Sequence, residues 1–208
     1  MKAVTVPVFL RMFYPSLLWT MPEGNKRLYL TFDDGPHPQL TPAILNILSD
    51  YNAKATFFCV GDNVQRYPEV YESILHRGHL TGNHSANHLN GWKTPLNVYY
   101  ENVNLCRSYV DSKWFRPPYG RITPSQIQAL KKEYTIVMWS VLSYDFDQET
   151  SPEQCVDYVL DHTTDGAIVV FHDNVKAEEN VLFALPKVLE HYTSKGYTFC
   201  RLDTEAQI

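Results

Sequence analysis

What most restricts the fold of this chain is a regular succession of short, strand-like apolar runs and longer segments with helical periodicity. Leu28, Leu30 and Phe32 alternate with Tyr29 and Thr31, all good β formers, so residues 28–32 predict a strand. Leu40, Ile44, Leu45, Ile47 and Leu48, with Pro42 near the start, predict a helix over 40–51. The pattern continues with strands over 53–60, 78–82, 113–117, 134–140, 167–172 and 197–202, and with helices over 61–76, 95–111, 124–132, 152–162 and 179–195. Seven strands alternating with six helices predict a parallel sheet with helices outside it. An open doubly wound sheet and an incomplete barrel both satisfy that pattern. No Gly-x-Gly-x-x-Gly follows the first strand, so the dinucleotide-binding signature is absent. Either architecture puts the chemistry at the carboxyl ends of the strands.

The 208 residues suffice for one domain with a full core. The net charge of −5 and the lack of a basic run argue against nucleic acid as a partner. Cys59, Cys106, Cys155 and Cys200 are far apart, and no C-x-x-C pair exists, so a zinc knuckle is excluded and reduced thiols are expected. Residues 1–25 form an apolar, aromatic segment. Arg11, Pro7 and Pro15 interrupt it, so it is too short and broken for a spanning helix. It also lacks a clean apolar core before a cleavage site. It is expected to be a strap packed on a domain of residues 26–208, with weak membrane-surface contact as a second use. A cytoplasmic or membrane-associated location is expected.

Residues with chemical potential collect where the strands end. The first strand runs into Asp33-Asp34-Gly35-Pro36. Successive strand residues point to opposite faces, so both carboxylates reach one pocket only if the chain bends, which Gly35 and Pro36 permit. Asp34 is alternatively the N-cap of the following helix. The third strand ends near His84 and His88, which share a face if the intervening residues form a helical turn. Together with Asp34 they make a two-histidine, one-carboxylate set that leaves coordination positions open. Arg116, before Pro117-Pro118-Tyr119-Gly120, is placed to pair with a carboxylate, Asp33 among the candidates. The fifth strand leads to Tyr144-Asp145-Phe146-Asp147, and the sixth ends in His172-Asp173.

Thr31-Phe32-Asp33-Asp34-Gly35-Pro36, His84-Ser85-x-x-His88, Arg116-x-Pro118-Tyr119-Gly120 and Val170-x-His172 resemble, in order, the motifs of the polysaccharide deacetylases. This is carbohydrate esterase family four, or the NodB-homology domain, and the resemblance runs from about residue 26 to 202. It implies a distorted, incomplete (β/α)7-type barrel and a metal-dependent hydrolase that removes N- or O-acetyl groups from a carbohydrate. Peptidoglycan, chitin-like oligosaccharides and acetylxylan are the implied substrate classes.

By resemblance, Asp34, His84 and His88 hold one divalent ion, zinc foremost, with cobalt or nickel as alternatives. Asp33 is the implied general base and His172 the acid. Arg116 orients Asp33, and Asp145 orients Arg116 or His172. The Tyr119 N–H serves the oxyanion, and Val170 meets the acetyl methyl. Trp92 and Tyr144 are candidates for stacking on sugar rings. The fourth family motif, Asp-x-x-Asp-Trp, is altered: Leu142 takes the first Asp position, Asp145 keeps the second, and Phe146 replaces Trp. With one carboxylate fewer, His172 is expected to hold its proton less tightly. A catalytically inactive carbohydrate-binding protein is the rival from another class, and an Fe(II) oxygenase using the same triad is the rival enzyme.

Overall fold

The computed structural model describes residues 2–204. Helix α1 (Val8–Phe13) precedes strand β1 (Arg27–Asp33), which is followed by α2 (Leu40–Asp50) and β2 (Thr56–Cys59). Helices α3 (Gly61–Arg66) and α4 (Pro68–His76) lead to β3 (Leu80–Asn83), then α5 (Leu96–Arg107), β4 (Trp114–Phe115) and α6 (Pro124–Leu130). Next come β5 (Thr135–Ile136), β6 (Val141–Leu142), α7 (Pro152–His162), β7 (Ile168–His172), α8 (Glu178–Ser194) and β8 (Thr198–Phe199).

The strands run in the order β5-β4-β3-β2-β1-β7-β6, and β8 pairs with the start of β1. All of these named pairings are parallel. The two ends of this path, β5 and β6, are adjacent in sequence. A flat sheet would hold them about 29 Å apart, at six spacings of roughly 4.8 Å. Five residue steps separate Ile136 from Val141 and span at most about 18 Å. The sheet therefore curls into an incomplete barrel, as expected.

The N-terminal segment lies along the open seam. Leu18 bridges to Val137, Thr5 to Val141 and Thr20 to Ala167. Val4 is buried in the core, while Phe9, Met12 and Phe13 on α1 face outward. Among the described residues no helix is long and apolar enough to cross a membrane.

Two segments differ from the sequence expectation. The strand expected over 134–140 is only β5, because Val137–Ser140 carry the chain across the seam to β6 at the opposite end of the sheet. The helix expected over 61–76 breaks at Tyr67. Pro68 has no N–H to continue the ladder, so it begins a new helix instead. The four cysteines are free thiols, as expected.

Alternation along β1 divides its side chains. Leu28, Leu30 and Phe32 pack against α2, α7 and α8 in the outer core. Tyr29 belongs to a separate inner cluster with Phe58, Val137 and Ile168, and Thr31 and Asp33 share its face. Phe32 stacks on Phe57 at 4.9 Å and on Phe171 at 6.1 Å between ring centroids, tying three neighbouring strands together. Truncating a buried Phe typically costs about 3–5 kcal/mol. Phe32→Ala should therefore lower the unfolding free energy measured in urea by that margin, with a lower midpoint. An unchanged midpoint would mean that the stack does not carry the core.

Candidate active site

The rim at the carboxyl ends of the strands is built on unusual backbone. Asp34, Ser85, His88, Tyr119 and Tyr144 all have positive φ, between 53° and 81°. Such conformations are costly for non-glycine residues and persist where surrounding contacts enforce them. At Asp34 (φ 81°) the chain turns immediately after the last strand residue, so both carboxylates reach one cleft. The bend thus falls on Asp34 itself, one residue earlier than Gly35-Pro36. Gly35 is required for a different reason: any Cβ there would overlap the Asp173 carboxylate. That carboxylate accepts hydrogen bonds from the Gly35 N–H at 2.9 Å and the Thr41 hydroxyl at 2.6 Å. Burial, opposed by the Thr41 bond, raises the Asp173 pKa to about 7.

Asp34 is not the cap of α2. The N-cap position is Gln39, and the His37 ring accepts the Leu40 N–H at 3.1 Å. Asp34 Oδ1 instead faces Nε2 of His84 at 3.4 Å and of His88 at 2.9 Å. Burial opposes its charge, but the hydrogen bonds from both histidines outweigh burial and hold its carboxyl well below the usual range. The two histidines do not share a helical turn. Left-handed residues at Ser85 and His88 fold the loop back on itself and bring the rings to 5.1 Å. His84 Nδ1 lies 2.8 Å from the Arg116 carbonyl, which leaves Nε2 directed into the cleft. One donor atom each from Asp34, His84 and His88 lies within 4.8 Å of the others. A carboxylate and two imidazoles at this spacing are a chemically suitable donor set for a divalent ion.

Asp33 has different partners. Its Oδ1 accepts a 2.7 Å hydrogen bond from Arg116 Nη1, and its Oδ2 is 4.0 Å from His84 Nε2. Arg116 is fully buried, and among the described residues its side-chain hydrogen bonds and ion pair go to groups other than Asp145. It also donates to the Thr31 hydroxyl at 2.7 Å and to the Met138 carbonyl at 2.9 Å. Asp145 is therefore the partner of His172 rather than of Arg116. Its Oδ1 is 2.7 Å from His172 Nδ1, and its Oδ2 accepts the His172 backbone N–H at 2.7 Å. Burial favours the neutral ring, yet Asp145 outweighs it and raises the His172 pKa to about 9. One fully buried carboxylate with both oxygens engaged therefore holds the His172 proton with leucine at position 142. Asp147 does not substitute for the missing carboxylate, since it pairs with Lys2 at 2.8 Å.

Asp33, Asp34, His84, His88 and His172 line a cleft of about 600 Å³, together with Tyr119 and Val170, while Arg116 and Asp145 stand behind its wall. Trp92 and Tyr144 are not among its lining residues. Trp92 is 66% exposed, donates to the Ile122 carbonyl and faces Arg121. Tyr144 donates to the Ala3 carbonyl and stacks on Phe146. The aromatic walls are instead Trp139 and Phe146. Phe146 meets the His172 ring edge-on at 4.8 Å. Trp139 comes close because position 120 is glycine, where a Cβ would strike its ring. Trp139 gave no signal in sequence beyond being an aromatic residue past a strand. Leu142, at the altered motif position, lines the cleft beside Val170, its register partner. Asn63 and Asn174 also reach the cleft and touch Asp34.

Known proteins resemble this chain in sequence and in fold. Residues 20–137 match the family model described as polysaccharide deacetylase. A peptidoglycan-N-acetylglucosamine deacetylase of Bacillus cereus is 35% identical over 189 residues, covering 87% of this chain and 88% of that protein. A chitooligosaccharide deacetylase of Azorhizobium caulinodans is 30% identical over 169 residues, covering 77% and 80%. The crystal structure of a peptidoglycan N-acetylglucosamine deacetylase bound to an N-hydroxybenzamide superposes with a TM-score of 0.84 at 29% identity, covering 95% of each chain. With its strand-end carboxylates and histidines in one cleft, the chain belongs to the polysaccharide deacetylase family.

Proposed function

We propose that this chain is a metal-dependent hydrolase that removes acetyl groups from an N-acetylated carbohydrate polymer. The observation that carries this reading is the division of partners between adjacent carboxylates. Asp33 is held by Arg116, Asp34 by two histidines, and His172, paired with Asp145, lines the same cleft. The relatives named for peptidoglycan and chitooligosaccharides support an N-acetylhexosamine substrate.

Asp34, His84 and His88 would hold the ion, and zinc suits one carboxylate and two imidazoles. Such an ion polarises an acyl oxygen and lowers the pKa of a water. Asp33 accepts the proton of the water that attacks the acetyl carbon, while Arg116 keeps its second oxygen fixed. The carbon–nitrogen bond breaks, and His172 gives its proton to the departing amine. The Tyr119 N–H, at a residue with left-handed backbone (φ 61°) on the cleft wall, would serve the oxyanion. Val170 and Leu142 offer apolar contact for the acetyl methyl. The outward Phe9, Met12 and Phe13 of α1 support weak membrane-surface contact, which co-sedimentation with anionic vesicles tests; no binding would remove it.

Acetate release from acetylated chito-oligosaccharides and from peptidoglycan should disappear with a chelator and return with Zn²⁺ or Co²⁺. Asp33→Asn should keep the metal and lose about 10²–10⁴ in rate. Binding of these glycans without acetate release under any metal would instead favour a binding protein.

The His172–Asp145 pair makes a separate prediction in metal-free protein. A raised pKa means that His172 stays protonated through neutral pH and loses its proton as pH passes about 9. Asp145→Asn removes the charge that raises it. The His172 ring titration followed by NMR should then move to lower pH, and in the metal-loaded enzyme the alkaline limb of the rate profile should move the same way. A titration unmoved in Asp145→Asn would refute the assignment of Asp145 as its partner.

A further inference from the structure

The two oxygens of Asp34 are not equivalent. Oδ1 faces the Nε2 atoms of His84 and His88. Oδ2 turns away from them and accepts a 2.6 Å hydrogen bond from Asn174 Nδ2. The orientation of the Asn174 amide is fixed by its other end. Its Oδ1 accepts the backbone N–H of Lys176 at 2.8 Å and of Ala177 at 3.2 Å. Both are donors, so the oxygen must face them and the NH₂ must face Asp34. The turn that holds Asn174 opens directly into α8. At its other side Asp173 N–H donates to the Asp33 carbonyl at 3.0 Å. Asn174 is thus a rigid strut between the long C-terminal helix and the carboxylate.

We propose that Asn174 is a positioning residue that presents Asp34 Oδ1 alone to the metal. This rests on the reading of Asp34, His84 and His88 as the metal site. The terminal torsion of an Asp side chain is broad, so a free carboxylate samples many rotations about Cβ–Cγ. With Oδ2 bound to Asn174, that rotation is arrested with Oδ1 aimed at the two imidazoles. A second contact steadies the backbone beneath it: Asn63 Nδ2 donates to the Asp34 carbonyl at 2.8 Å. Asn174 therefore sets the affinity of the site without touching the ion. Hydrogen-bonding partners of metal-ligating side chains typically contribute about 10–100-fold in affinity.

Asn174→Ser isolates the donor. A serine Oγ still accepts the N–H groups of the turn, as in an ST-turn, but it is too short to reach Asp34. Asn174→Thr does the same with a stiffer side chain and serves if the serine variant does not fold. Zn²⁺ affinity is read on the full chain by competition with a chromophoric chelator, and the thermal midpoint is measured on metal-free protein. The expected result is a loss of about 10–100-fold in Zn²⁺ affinity with the metal-free midpoint unchanged. Affinity within twofold of the parent in a folded variant overturns the proposal. Asp34→Ala distinguishes the two levels of the argument. If it binds Zn²⁺ as the parent does, the metal site itself is wrong. If it loses Zn²⁺ while Asn174→Ser does not, only the role of Asn174 is wrong.

Discussion

The buried ion pair between Arg116 and Asp33 is the interaction on which the rest of the cleft depends. An arginine with no solvent exposure is costly unless its donors are satisfied. Here Nη1 serves Asp33 and Thr31, Nη2 serves the Met138 carbonyl, and Nε points to the Val137 carbonyl at 3.4 Å. The guanidinium lies 4.2 Å from the centre of the Phe58 ring. Two of those acceptors belong to the segment that crosses from one end of the sheet to the other. Closure of the sheet and satisfaction of Arg116 are therefore one arrangement. Buried pairs of this kind add little net stability. What this pair supplies is direction, because it commits Asp33 to Arg116 and leaves Asp34 to the histidines.

That commitment sets the electrostatics of the cleft. Two adjacent carboxylates would otherwise repel, and one would take up a proton. Each is instead matched to its own cationic or hydrogen-bonding partner. Beside that cleft Asp145 raises the His172 pKa, so the site sets a carboxylate held by Arg116 near an imidazole that keeps its proton. General acid–base hydrolysis needs that asymmetry near neutral pH. The cost is carried by backbone. The positive φ values at Asp34, Ser85, His88 and Tyr119 lie at the ends of β1, β3 and β4, which contribute the reactive groups.

Much of this was legible in the chain. The short β-forming runs and the apolar helix periodicities pointed to a parallel α/β fold, because strands buried on both faces read as apolar runs and helices buried on one face keep a 3.6-residue period. Asp33, Asp34, His84, His88, Arg116 and His172 were legible because each lies at or just past the carboxyl end of a strand. The seam was not. Residues 134–140 read as one β run, and nothing local tells Val137–Ser140 to leave one edge and join the other. Ring and backbone placements at His84 and His88 escaped as well, since left-handed residues other than glycine carry little sequence signal. Trp139 and Asn174 were missed for a related reason. Trp139 reaches the cleft through a close approach to Gly120, and Asn174 through a turn whose geometry only tertiary contacts define. The strength of the His172–Asp145 pair was not legible either, because counting carboxylates does not show how well one is placed.

The central claim is that the two carboxylates divide their work. Anomalous diffraction at the zinc edge from crystals grown with Zn²⁺ tests it most directly. The account predicts one ion at about 2.0–2.2 Å from Asp34 Oδ1, His84 Nε2 and His88 Nε2, with Asp33 still paired to Arg116. An ion bound by Asp33, with Arg116 displaced from it, would contradict the account.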